Sequence, residues 1–248
     1  MIDSLPESVN AFWTNLGPRS VFLVVGIQDR KATEGWERSG LVGVGCVKAL
    51  VLIQRQLLSA GLSGEFVTAE ELPPARWGGD LVLIGGPDTN GVTAEMLNQL
   101  DGCLSFAFPR WSSHNVGLFD RLLSTQILPE SDAQGEVVID YGLIVCARNP
   151  LANDDAKVVV LAGCWGYGTA AAATVLGSKM LYESDVCRSG QPFEALVRTV
   201  VLQKTHHAAS IVDVRPLDAF TAEQRVSRSQ RASPSTGLYV SRVDQGGR

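Results

Sequence analysis

Residues 163–174 (GCWGYGTAAAAT) follow directly on the apolar run 157–162, and no other stretch constrains the fold as much. The run reads as a buried strand, the glycines as a tight turn and the alanines as the start of a helix lying close on a sheet. A second strand-to-glycine-turn unit lies upstream at residues 80–93 (DLVLIGGPDTNGVT). Two such units predict an α/β domain with a site at the strand ends.

Composition narrows the class. Of 248 residues, 45% are hydrophobic, enough for a sizeable core and for one large α/β domain or two small ones. The net charge of −5 offers no general attraction to nucleic acid or to an anionic membrane. The five cysteines form no C-x-x-C pair, which predicts reduced thiols rather than a disulfide frame or a zinc site. Residues 1–10 carry Asp3 and Glu7 and no basic segment, so no secretory signal is expected. No apolar run nears the ~20 residues of a membrane-spanning helix. The expected setting is the cytoplasm.

In chain order, residues 2–16 predict a short helix ended by Gly17-Pro18, and 21–27 (VFLVVGI) a strand covered on both faces. A polar loop, 28–39, then leads to a helix over 41–60, with Gly43 and Gly45 near its start allowing close approach of the backbone. Short strands are expected at 65–68, 80–84 and 103–108, with a helix at 92–100. Residues 110–135 carry no decisive pattern. Residues 136–147 read as one long strand, joined by so short a link to 157–162 that the pair must be antiparallel. A helix is expected from 168 to 181, then a terminal hairpin of 193–202 and 208–214 with His206-His207 in its turn. The single domain is assigned to 1–220; residues 221–248, poor in large apolar side chains, read as a disordered tail.

Both glycine turns have the strand-turn-helix context in which backbone amides and a helix N-terminus hold anions. At the first, Gly85, Gly86, Asp88, Thr89 and Asn90 are candidate ligand contacts, Asp88 suiting a ribose or a base edge. At the second, the candidates are Gly163, Trp165, Gly166, Tyr167, Gly168 and Thr169, the two rings offering stacking surfaces for a planar ligand. Neither turn is a G-x-G-x-x-G or Walker motif. The plainer reading is that the rings anchor the core and the glycines make room for them. Cys164 invites a nucleophile reading, but the only histidines are His114, His206 and His207, and none has a sequence reason to lie beside it.

Three ordered motifs, LIGGPDTNGVT (83–93), DYGLIVCARNPL (140–151) and LAGCWGYGTAAA (161–172), resemble an uncharacterised prokaryotic family that carries G-G-P-x-x-N, then D-Y-G-L with N-P, then A-G-x-x-x-[YF]-G-T before a helix. The resemblance spans residues 21–214 and implies a Rossmann-like fold, without implying a reaction. The turn 166–169 is also similar to the G-G-x-G-T turn of the cytokinin-activating phosphoribohydrolases. Those enzymes carry a Glu shortly after the Thr, where this chain has Ala172 and Ala173, so the resemblance does not extend to their hydrolytic chemistry.

The expected architecture is therefore an α/β Rossmann-like three-layer sandwich, its sheet mostly parallel with an antiparallel edge hairpin. The expected function is binding or sensing of a nucleotide-like or other phosphorylated small ligand at the glycine turns. No cofactor is specified, no metal site is expected, and an oligomer is compatible with the pattern. Two alternatives stand beside it: a hydrolase of nucleotide-derived substrates at the same site, and a non-catalytic scaffold.

Overall fold

The computed structural model describes residues 5–16, 20–28, 40–109 and 116–217. Helix α1 (Glu7–Thr14) leads into strand β1 (Val21–Val25), helix α2 (Val44–Ser59), β2 (Gly64–Thr68) and, after a 3-10 turn at Pro74–Arg76, β3 (Leu81–Ile84). Helix α3 (Gly91–Leu100) precedes a small three-stranded sheet of β4 (Phe106–Ala107), β5 (Leu118–Asp120) and β6 (Thr125–Ile127). Then come β7 (Glu130–Ser131), β8 (Val137–Arg148), β9 (Lys157–Gly163), α4 (Gly166–Leu176), the single turns α5 (Lys179–Tyr182) and α6 (Asp185–Arg188), β10 (Phe193–Leu202) and β11 (Thr205–Pro216).

The main sheet runs β11-β10-β8-β9-β3-β1-β2, with β7 beside the start of β8. The four strands β2, β1, β3 and β9 are mutually parallel. Strand β8 runs antiparallel to both β9 and β10, and β10–β11 close the far edge as a hairpin. The mixed α/β class, the parallel centre and the edge hairpin agree with the sequence reading.

Strand alternation sorts the core. Leu23, Val25, Val82, Ile84, Val159, Leu161 and Ile144 face α1, α2 and α4 in one buried cluster. Their neighbours Val24, Leu81, Leu83, Val158 and Val160 are equally buried on the other face, where α3 brings Val92, Met96 and Leu100. On the first face Trp13 Nε1 donates to Gln56 Oε1 (3.0 Å), and Gln56 Nε2 donates to the Ala173 carbonyl (3.1 Å). One buried amide thus ties α1, α2 and α4 together, leaving neither of its ends unpaired.

Several boundaries differ from expectation for identifiable reasons. The predicted strand over 103–108 shrinks to two residues because the buried Glu194 carboxylate takes the Ser105 and Phe106 amides (2.6 and 3.1 Å). The helix predicted over 168–181 stops at Leu176, and Ser178 and Ser184 each start a new turn by accepting a backbone N–H. His206 and His207 lie inside β11, not in a turn, because Gln203 and Lys204 both adopt positive φ (49° and 60°) and reverse the chain in two residues. The predicted tail at 221–248 and most of the loop at 28–39 lie outside the described residues.

Candidate functional site

Strands β3 and β9 are parallel neighbours in register, Ile84 opposite Leu161. Both glycine turns therefore leave the same sheet edge side by side. The Gly85 amide donates to the Leu161 carbonyl (2.9 Å), and a Cβ on Gly86 would lie 3.7 Å from the Gly163 carbonyl oxygen. Helix α2 starts at that edge too. Gly45 in its first turn touches Gly166 at the start of α4 so closely that any side chain at Gly45 would overlap the Gly166 carbonyl. Three helix N-termini, those of α2, α3 and α4, thus gather at one edge.

Their amides are not equally free. Asn90 caps α3 completely: its Oδ1 accepts from the Val92 and Thr93 amides (3.1 Å each), and its Nδ2 donates to the Val24 and Ile84 carbonyls. This side chain is fully engaged in joining β1, β3 and α3. Helix α4 is capped by a group from β8. Asp140, fully buried, accepts from the Gly168 amide (2.6 Å), the Tyr141 amide (2.8 Å) and the Trp165 amide (3.2 Å). Burial raises its pKa to about 6, against the pull of those three amides toward the charged form. At neutral pH the N-terminus of α4 is thus already answered by an internal anion. Among the described residues the amides of Gly166 and Tyr167 make no hydrogen bond, and no side chain caps α2 at Gly43. These are the donors left for a ligand.

The remaining predicted contacts divide in the same way. Gly85 holds φ +111°, a conformation that suits glycine alone. Gly163 and Gly168 lie against backbone, the latter against the Tyr141 carbonyl, so their lack of a side chain is a packing requirement. Thr169 is buried, and Thr89 turns its hydroxyl back onto the Gly86 carbonyl (3.4 Å). Asp88 is exposed, and its carboxylate accepts no hydrogen bond among the described residues. Trp165 is 44% exposed and Tyr167 half-buried, both at the rim.

The thiols here are protonated. Cys164 is pushed well above the ordinary thiol range by burial and by Asp140. Cys46, under Gly85, is pushed up to about 11 by burial and by Asp88. His206 packs its Nε2 against the Thr174 hydroxyl (3.3 Å), and burial, with Lys48 and His207 nearby, lowers its pKa. Among the described residues, no group of three or more His, Cys, Asp or Glu is placed to hold a metal, and no helix is long and apolar enough to cross a membrane.

Two cavities of ligand size formed by described residues border the sheet ends. One of about 490 Å³ lies between α3 and β4, opening beside Pro87 and Asp88. A larger one, about 560 Å³, lies at the opposite edge, where the start of β9 and the end of β8 meet α1, with Cys146, Lys157, Tyr182 and Phe193 in its wall. The first reaches Pro87 and Asp88 of the upstream glycine turn; the second touches neither turn.

Sequence reasoning missed Asp140 as a site residue, although a lone Asp inside the apolar run 137–146 was a usable signal. It also missed the buried pair in which Arg215 donates to Asp120 (2.9 and 2.6 Å) while stacking on Phe106. Nothing in the sequence placed those two residues together.

Comparison with family models and with curated proteins finds no match to this chain.

Proposed function

We propose that this chain is a Rossmann-like binding or sensing domain, working in the cytoplasm, for a phosphorylated small ligand held at the edge where β1, β3 and β9 end. One observation carries the reading: the N-termini of α2 and α4 abut at Gly45 and Gly166, with the Gly166 and Tyr167 amides unpaired among the described residues. The α2 terminus contributes partial positive charge, that of α4 being offset by Asp140, and the unpaired Gly166 and Tyr167 amides supply directed donors. Binding is favoured over hydrolysis by the chemistry alongside. The nearby thiols are protonated, His206 is engaged with α4, and Asp140 is consumed as a helix cap.

The direct experiment is to denature the purified full chain and identify any released small molecule by mass spectrometry. A phosphorylated compound recovered in near-stoichiometric amount supports the reading. A scaffold role would be supported instead if no phosphorylated compound co-purifies and none, added at millimolar concentration, shifts the melt.

A further inference from the structure

The floor of the cavity under α1 is set by strand register. Cys146 on β8 stands opposite Val159 on β9 and Phe193 on β10, so one cross-strand row presents three apolar side chains to the cavity. Two residues along, on the same face, Arg148 stands opposite Lys157. Both belong to the wall of the same space of about 560 Å³, within the usual range for small-ligand pockets, about 300–1,000 Å³. The floor thus passes from apolar to cationic within one strand repeat. Across the cavity, α1 contributes Ala11 and Phe12, and α5 contributes Tyr182. The Tyr182 hydroxyl is committed to the Leu176 carbonyl (2.9 Å), and its ring lies against that of Phe12 (centroids 5.5 Å apart). That wall therefore offers ring surface rather than a polar group.

Like charges directly opposite across two strands are unfavourable unless an anion answers them. The cations around this cavity are answered unequally. Arg148 donates to the Asp154 carbonyl (3.1 and 2.9 Å) and lies 3.7 Å from the Asp155 carboxylate. Arg188, on α6, is paired with Asp185 (2.6 Å). Lys157 Nζ donates to the Asn15 carbonyl (2.6 Å), a neutral group that also lines the cavity, and among the described residues no carboxylate pairs with it. An ammonium has three N–H donors, so two are left for a ligand. The wall therefore carries one positive charge that no described carboxylate offsets, next to an apolar interior, in a chain whose net charge is −5. One such charge matches a monoanion, whereas a nucleotide or a phosphate dianion brings more charge than this wall balances.

We propose that this cavity binds a monocarboxylate with an apolar body, its carboxylate on Lys157 and its body between the Phe193–Cys146–Val159 row and the rings of Phe12 and Tyr182. The site is separate from the glycine turns and does not rest on the binding role proposed for them.

Calorimetry on the full chain with octanoate, 4-phenylbutyrate, their primary amides and acetate tests it. At least one of the two acids should bind about tenfold or more tightly than both its amide and acetate. The order of the two acids distinguishes an aliphatic from an aromatic body. Lys157→Met keeps the apolar stem and should bind acid and amide alike, whereas Lys157→Arg keeps the charge and should retain the preference. Ala11→Trp, at an exposed position on α1, fills the cavity and should weaken acid and amide together without changing the melt. The inference fails if neither acid is preferred over its amide and acetate. It fails equally if folded Lys157→Met keeps the full preference, or if Ala11→Trp leaves both affinities unchanged.

Discussion

Asp140 joins the two halves of the sheet at a single carboxylate. It sits on β8, in the antiparallel half, and holds the first turn of α4, which follows the parallel strand β9. Asp140→Ala should cost at least about 2 kcal/mol, since three amides lose their acceptor in a buried place; chemical denaturation measures this. The pH dependence has a definite sign. Its folded pKa, about 6, lies above the ordinary carboxyl value, so the folded state binds the proton more tightly. Its contribution to stability is therefore greatest below pH 4 and falls as pH rises toward 6, levelling off above. Wild type minus Asp140→Asn, measured from pH 4 to 7.5, should show that decline; a flat difference would refute it. Cys164→Ala should change stability by no more than about 1 kcal/mol and leave ligand binding intact, because its thiol is protonated and half-buried. The motif residues Asn90, Asp140 and Asn149 were visible in the sequence, but their partners were not. Asn149 Nδ2, for example, donates to the Trp77 and Gly79 carbonyls (2.7 Å each), seventy or more residues away. A buried polar side chain advertises itself by its surroundings, whereas its partner is fixed only when the chain is folded.

Elements with strong local patterns were legible. The long strand β8, its antiparallel link to β9 and the helix α2 follow from continuous apolar runs and from spacing. The shortened β4 and the broken end of α4 were not, because remote or local side chains compete there for backbone groups that a strand or helix would otherwise use. The glycines test the same distinction. Gly168→Ala drives a methyl into the Tyr141 carbonyl and should destabilise by about 3 kcal/mol or more, read by thermal or denaturant melts. Gly86→Ala meets only the Asp88 carboxylate, 2.5 Å away at the end of an exposed side chain that can rotate aside. It should keep the fold within about 1 kcal/mol, read by the same melts. A Gly168→Ala variant as stable as Gly86→Ala would contradict the packing assigned to α4 and β8.

Across residues 5–217 the sheet divides labour. Its parallel half ends in the three helix N-termini, and its antiparallel half supplies Asp140 and Glu194, the buried carboxylates that fix the loops around them. A ligand that binds only the folded state stabilises it by about 2.7 kcal/mol at a hundredfold excess over Kd. For a unit of this size that corresponds to a rise in Tm of about 5–10 °C. A shift alone does not say where the ligand sits, since the 560 Å³ cavity at the opposite edge could produce it as well. Hydrogen exchange separates the two. Binding at the glycine turns should slow exchange in peptides covering 85–93 and 163–169, where the Gly166 and Tyr167 amides are unpaired among the described residues. Peptides around Cys146, Lys157 and Phe193, which line the other cavity, should exchange at their unliganded rates. Protection concentrated at those three residues instead, with 163–169 unchanged, would move the binding site to the far edge of the sheet and leave the glycine turns a purely structural role.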